Sequence, residues 1–202
     1  MTSLRHTHPN LGSDPRLDAY LDAARDCILD VGWRRTTLTE VAKRAGVSRM
    51  TIYRAWSDMG SLLGDLMTRE WVGIAAATRV AASDTTTPAG IAAAALSTVR
   101  ALRDNELFVR IVELDPELLL PYLLSRRGRS QEALIEILAA EIESGQRSGA
   151  IREGDPALMA RSLTLAGHGF VFSAMTMTDA GVSLEALDEE YARLITSSLA
   201  PS

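Results

Sequence analysis

One cysteine in 202 residues excludes an internal disulfide framework and fits a reducing compartment. That residue, Cys27, lies beside the apolar stripe of a predicted helix, where it reads as core filling. Aromatic residues are scarce at 5% of the chain. The leucine-rich stretch DPELLLPYLLS, residues 115–125, is too short to cross a bilayer, so no membrane partner is expected. Period-two alternation is absent, and so is any internal repeat. None of the G-x-S-x-G, H-E-x-x-H, P-loop or dinucleotide fingerprints occurs. Glu113, Asp115 and Glu117 are close in sequence, but an Asp-Pro helix start accounts for Asp115 without chemistry. An enzyme carrying a nucleic-acid module is therefore the least favoured reading, and no catalytic residue, cofactor or metal is expected.

What the chain does have is helical periodicity. Apolar residues make up 47%, enough for a substantial core. Residues 1–13, MTSLRHTHPNLGS, contain no apolar h-region and read as a disordered tail rather than a signal peptide. His6 and His8 there lack further ligands for a metal. Asp14-Pro15 opens a first helix, with Leu17, Leu21, Ala24, Ile28 and Val31 at helical spacing and Gly32 at its end. Asp18, Asp22, Asp26 and Asp30 form its opposite, solvated stripe.

Residues 37–56, TLTEVAKRAGVSRMTIYRAW, read as two short helices about a tight turn. Thr37 and Glu40 suit a capping box, Gly46 a left-handed helix stop, and Ser48 the N-cap of the second helix. Ile52 and Trp56, with Val47, face inward. Arg49, Met50, Tyr53 and Arg54 take the other side. A short helix with a cationic and aromatic outer face, held at a glycine turn, is the pattern of a helix-turn-helix DNA reader.

Charge distribution agrees. The net charge of −5 does not suggest a nucleic-acid partner, yet residues 34–54 hold six basic residues against Glu40 alone. These are Arg34, Arg35, Lys43, Arg44, Arg49 and Arg54. Residues 61–202 hold 12 basic and 19 acidic side chains. A local cationic patch on an acidic body orients a protein on phosphate, since salt screens the distant charges.

The run TTLTEVAKRAGVSRMTIY closely resembles the TetR/AcrR signature T-T-x-x-x-[IV]-A-x-x-A-G-V-S-x-x-T-[LI]-Y, and the likeness spans roughly residues 16–66. The resemblance implies that Thr37 and Tyr53 hold phosphates. It also places Thr39, Arg49, Met50, Thr51 and Arg54 near bases or backbone. Ala55 and Met59 depart from the His and Lys common in that family, which implies a missing phosphate contact that Arg54 or the Arg34-Arg35 pair would replace.

Beyond the reading helix, a long helix begins near Met59, the only continuous element leaving the DNA-binding part. SDTTTP, residues 83–88, breaks the chain before an alanine-rich helix. Asn105 starts a short amphipathic helix with Leu107, Phe108, Ile111 and Val112. The next Asp-Pro start is expected to stop or kink at Pro121. RRGRSQ, residues 126–131, reads as an exposed connector. Asp155-Pro156 opens a further helix containing Gly167 and Gly169. The last helix is read with Leu184, Leu187, Tyr191, Leu194 and Ile195 inward, and Asp188, Glu189 and Glu190 outward.

The expected fold is all-α with about nine helices: a tail (1–13), a three-helix DNA-binding domain (14–58) and a helical effector-binding and dimerisation domain (59–202). The family resemblance implies homodimerisation through the last two helices, assigned to Leu163, Gly167, Phe170, Leu187, Tyr191 and Leu194. It also implies an effector pocket, for which Trp71, Ile74, Leu107, Phe108, Ile111, Tyr122, His168 and Phe172 are candidates. Branched aliphatics favour an apolar or amphipathic small molecule. The expected function is a cytoplasmic, effector-released repressor on a palindromic double-stranded operator. The alternative is an architectural or effector-independent DNA binder.

Overall fold

A computed structural model describes residues 14–201 of the chain. The tail at residues 1–13, with His6 and His8, lies outside the described residues. Ten α-helices and no strand occur among the described residues, against about nine expected. One compact unit ends at Leu66 and a second begins at Met67.

In the first unit, α1 (Pro15–Val31) starts on Asp14, whose carboxylate accepts from Arg16 N at 3.0 Å. Helix α2 (Leu38–Arg44) starts on Thr37, and α3 (Arg49–Ala55) on Ser48. Each hydroxyl accepts from the third residue on, Glu40 N and Thr51 N, at 3.2 Å. Gly46 has φ +67°, a conformation that costs a side-chain-bearing residue about 1–2 kcal/mol. Val47 N donates to Ala42 O and Gly46 N to Lys43 O, so α2 ends in a Schellman motif. Leu21, Ala24, Ile28, Leu38, Val41, Ala42 and Ile52 fill the core, together with Leu62 and Leu66 from the start of α4 (Met59–Ala81). Cys27 is buried among them, and burial pushes its thiol pKa up, which leaves it a poor nucleophile. Leu17 and Val31, expected inward, are exposed; the buried stripe covers only the middle of α1.

The second unit continues α4 and adds α5 (Pro88–Arg103), α6 (Glu106–Leu114), α7 (Leu120–Leu124), α8 (Arg129–Arg147), α9 (Pro156–Phe172) and α10 (Leu184–Leu199). Helix α5 packs chiefly on α10, and α8 on α9. Ile91, Val99, Leu138, Ile142, Met159, Ile195 and Leu199 form the centre of this core. The Asp-Pro start at Pro116 yields only a 3-10 turn, Pro116–Leu118. Pro121 does not stop a helix; it lies in the first turn of α7, where its missing N–H has no helical acceptor to lose.

Helix α10 departs from the expected facing at two positions. Asp188 is buried, at 3% exposure, while Leu194 is 55% exposed. The buried stripe runs Asp188, Tyr191, Ile195, Leu199, and α5 brings two cations to its first position. Arg100 Nε and Arg103 Nη2 each lie 2.7 Å from the Asp188 carboxylate. Removing one partner of a buried ion pair strands the other. Asp188→Ala should therefore cost about 3–5 kcal/mol. Glu189→Ala, at an exposed pair with Arg193, should cost less than about 1 kcal/mol. Urea denaturation of the two variants checks the contrast; equal costs would show that the buried pair contributes no more than the surface one.

Candidate nucleic-acid interface

The seven residues of α3 divide cleanly by exposure. Ile52 is fully buried, whereas Arg49, Met50, Tyr53 and Arg54 are exposed, Met50 at 65% and Tyr53 at 49%. Trp56, just past the helix, is 4% exposed. Its Nε1 donates to Asp65 Oδ2 at 2.7 Å, and its ring meets Tyr20 edge-on with centroids 6.5 Å apart. The inner side and the end of α3 are thus both anchored, and its outer side carries two guanidinium groups, a thioether and a phenol.

The remaining sequence-predicted residues belong to α2, α3 and the residue that caps α2. Thr37 is exposed and Thr39 half-buried. Thr37 Oγ1 accepts a backbone bond as N-cap, which leaves its own O–H available to donate. The Thr51 hydroxyl is half-buried and within 2.9 Å of Ser48 Oγ, so it helps hold the turn. Arg34, Arg35 and Lys43 are exposed. Arg44 is paired with Asp30, from the acidic stripe of α1. Ala55 is exposed and Met59 half-buried; neither supplies a charge.

Comparison with known proteins decides the family. Residues 21–66 match the family model of bacterial regulatory proteins of the tetR family. An uncharacterized HTH-type transcriptional regulator of Mycobacterium bovis is 36% identical over 154 residues, covering 76% of this chain and 79% of that protein. This chain belongs to the tetR family. It is a DNA-binding transcriptional regulator with a helix-turn-helix. Solved structures with the same fold include the R. erythropolis transcriptional repressor QsdR, with a TM-score of 0.69 at 18% identity, covering 93% of this chain and 95% of that one. FadR from Bacillus subtilis, solved in complex with stearoyl-CoA, gives 0.58 at 20% identity over 90% and 98%.

In the second unit of this tetR-family chain, four of the expected effector residues join through ring contacts. Trp71 and Phe108 meet edge-on at 6.0 Å, Phe108 and Phe172 lie 5.3 Å apart, and His168 meets Phe172 at 6.4 Å. Leu107 and Ile111 are buried on α6, and Ile74 is half-buried on α4. Tyr122 enters through a residue that sequence reasoning passed over, Gln131. Its Nε2 donates to Tyr122 O and lies 3.2 Å from His168 Nε2, while its Oε1 accepts from Gly128 N at 2.7 Å. The available signal was a Gln three residues after a glycine at the mouth of an apolar helix.

The expected interface residues part company. Tyr191 is 2% exposed and stacks on Phe170 at 4.2 Å. Leu163 and Phe170 pack against the chain's own core. Gly167 lets Tyr191 approach: a Cβ there would lie 3.0 Å from the phenol oxygen. Leu187 is half-buried and Leu194 exposed. Leu158 and Leu165, seven residues apart on α9, are 62% and 72% exposed.

Because the Gly128 bond fixes the Gln131 amide, its NH₂ group faces His168, whose Nε2 must accept. The imidazole is then neutral, and burial lowers its pKa from the ordinary value. A depressed folded-state pKa means stability fully present above the unfolded value of about 6.5 and lost as pH falls toward the folded one. Between pH 7.5 and pH 5 the wild-type melting temperature should fall further than that of His168→Gln. Parallel curves would show that His168 titrates alike in the folded and unfolded chains.

Proposed function

We propose that this regulator is a homodimeric repressor that binds a pseudo-palindromic operator and is released by a small apolar or amphipathic effector. The DNA-reading part is residues 14–58, and residues 59–202 bind effector and partner. The carrying observation is the exposed Arg49–Arg54 face of an α3 whose other side is locked into a core. Arg49 is the base-reading residue, bidentate toward guanine. Thr37 and Tyr53 hold phosphates, and Thr39, Met50, Thr51 and Arg54 lie beside bases or backbone. Arg34 and Arg35 supply phosphate attraction in place of the charges absent at Ala55 and Met59.

Geometry and surface both support dimerisation. One helix-turn-helix covers a half-site, and two-fold symmetry doubles the contacts at fixed spacing. Helices α9 and α10 leave Leu158, Leu165 and Leu194 exposed, and α9 has small residues, Ala166 and Gly169, also exposed. These five, with Leu187, form the proposed interface, while Tyr191 and Phe170 support it from beneath.

The effector site is the aromatic cluster of Trp71, Phe108, His168 and Phe172, with Ile74, Leu107, Ile111 and Tyr122 around it. Stearoyl-CoA in the FadR structure is an occupant with a long apolar part, which supports the same class here. Release requires that the effector bind better to a conformation whose reading helices are misplaced for successive major grooves; equal affinity for both conformations would shift nothing.

Competition binding against random DNA tests the reading. Arg49→Ala should lose about 1–3 kcal/mol on its operator with little change on random sequence. Tyr53→Phe should weaken both alike. Equal loss on both duplexes in Arg49→Ala would remove Arg49 from base recognition.

A further inference from the structure

The ring cluster of the second unit contains a hydrogen-bonding group that the protein leaves unused. Trp71 Nε1 is buried and has no acceptor within reach. Buried polar groups in native folds are almost always paired, and an indole has a single polar handle, a donor. Arg103 Nη1 and Arg110 Nε share this condition. A guanidinium, however, has other N–H groups, and Arg103 already binds Asp188 through Nη2. For Trp71 the unpaired atom is the whole of its polar chemistry.

The ring neighbours cannot satisfy it. Phe108, edge-to-face at 6.0 Å and 70°, offers a π face, a far weaker acceptor than an oxygen lone pair. The next ring, Phe172, is equally apolar. The one lone pair on the rings, at His168 Nε2, is engaged by Gln131 Nε2 at 3.2 Å. With His168 neutral, its ring proton is on Nδ1, a second donor rather than an acceptor. The cluster is therefore apolar in surface and donor-only in its free polar groups.

We propose that the cluster takes an apolar, ring-bearing ligand carrying a neutral hydrogen-bond acceptor, such as an aryl ketone, and that Trp71 Nε1 donates to that acceptor. This rests on the effector reading of the cluster and adds the ligand's chemistry to it. Trp71 is then the specificity-determining residue. A site built around a donor rejects the analogue lacking the acceptor, because the buried N–H is left stranded.

Benzophenone and diphenylmethane form a matched pair of probes, differing by a carbonyl in place of a methylene. Partition from water alone would favour the hydrocarbon, so a preference for the ketone reports the hydrogen bond. Calorimetric titration of the full chain should show benzophenone binding about ten-fold tighter. In ¹⁵N–¹H spectra one of the three indole resonances, from Trp33, Trp56 and Trp71, should move downfield with benzophenone only. That resonance should be the one absent from Trp71→Phe, and the variant should lose the preference for benzophenone. The wild-type spectra stand whether or not the variant folds. Equal binding of the two probes with no indole shift would overturn the role of Trp71 while leaving the cluster a ligand site. Failure of both probes to bind would overturn the effector reading as well.

Discussion

A seven-residue helix is too short to be stable by itself in water, and α3 has only seven. Its conformation and direction depend on Ile52, fully buried as Val41 and Ala42 are on the neighbouring α2, and on the Schellman turn that delivers the chain from α2. The Trp56–Asp65 bond closes the far end. Groove recognition is a matter of angle and depth, so every contact proposed for Arg49, Tyr53 and Arg54 presupposes this anchoring. The exposed side chains carry the chemistry; the buried isoleucine holds it in register.

The second unit is organised by a different kind of constraint. Its core is apolar along α5, α8, α9 and α10, yet one buried position on α10 is a carboxylate held by two arginines of α5. A buried pair of this kind tolerates little change in geometry, because sliding one helix past the other strands a charge. The ring cluster around Phe108 is bound instead by ring contacts and one amide, Gln131, and includes an unpaired donor. In the proposed account, the first region keeps α5 and α10 in fixed register, and the second is where a ligand adds contacts that the protein lacks.

Seven helix starts were legible because capping is local chemistry, whereas Asp115-Pro116 opens only a 3-10 turn with no side-chain cap. Asp14, Thr37, Ser48, Thr87, Asn105, Asp155 and Ser183 each accept backbone bonds at the helix they precede. The exposed face of α3 was legible too, since one side of a short helix is apolar and the other is not. Facing within α9 and α10 was less so. On α9, Leu158 and Leu165 point outward while Met159 and Leu163 pack inward, so an apolar residue on that helix carries no orientation. On α10, the inward place of Asp188 depends on two arginines 85 and 88 residues away, which no periodicity reveals. For Gln131 only the bond from Gly128 N is local; its other partners, Tyr122 and His168, come from α7 and α9.

Selection of binding sites from a random-sequence duplex pool at about 0.15 M salt, with Arg49→Ala as the control, tests the central claim most directly. The account predicts enrichment of a two-fold symmetric site, its half-sites about one helical turn, or a multiple of it, apart, and loss of a defined base preference in the control. A single unrepeated half-site would contradict the dimer, and an unchanged sequence preference in Arg49→Ala would contradict the reading helix.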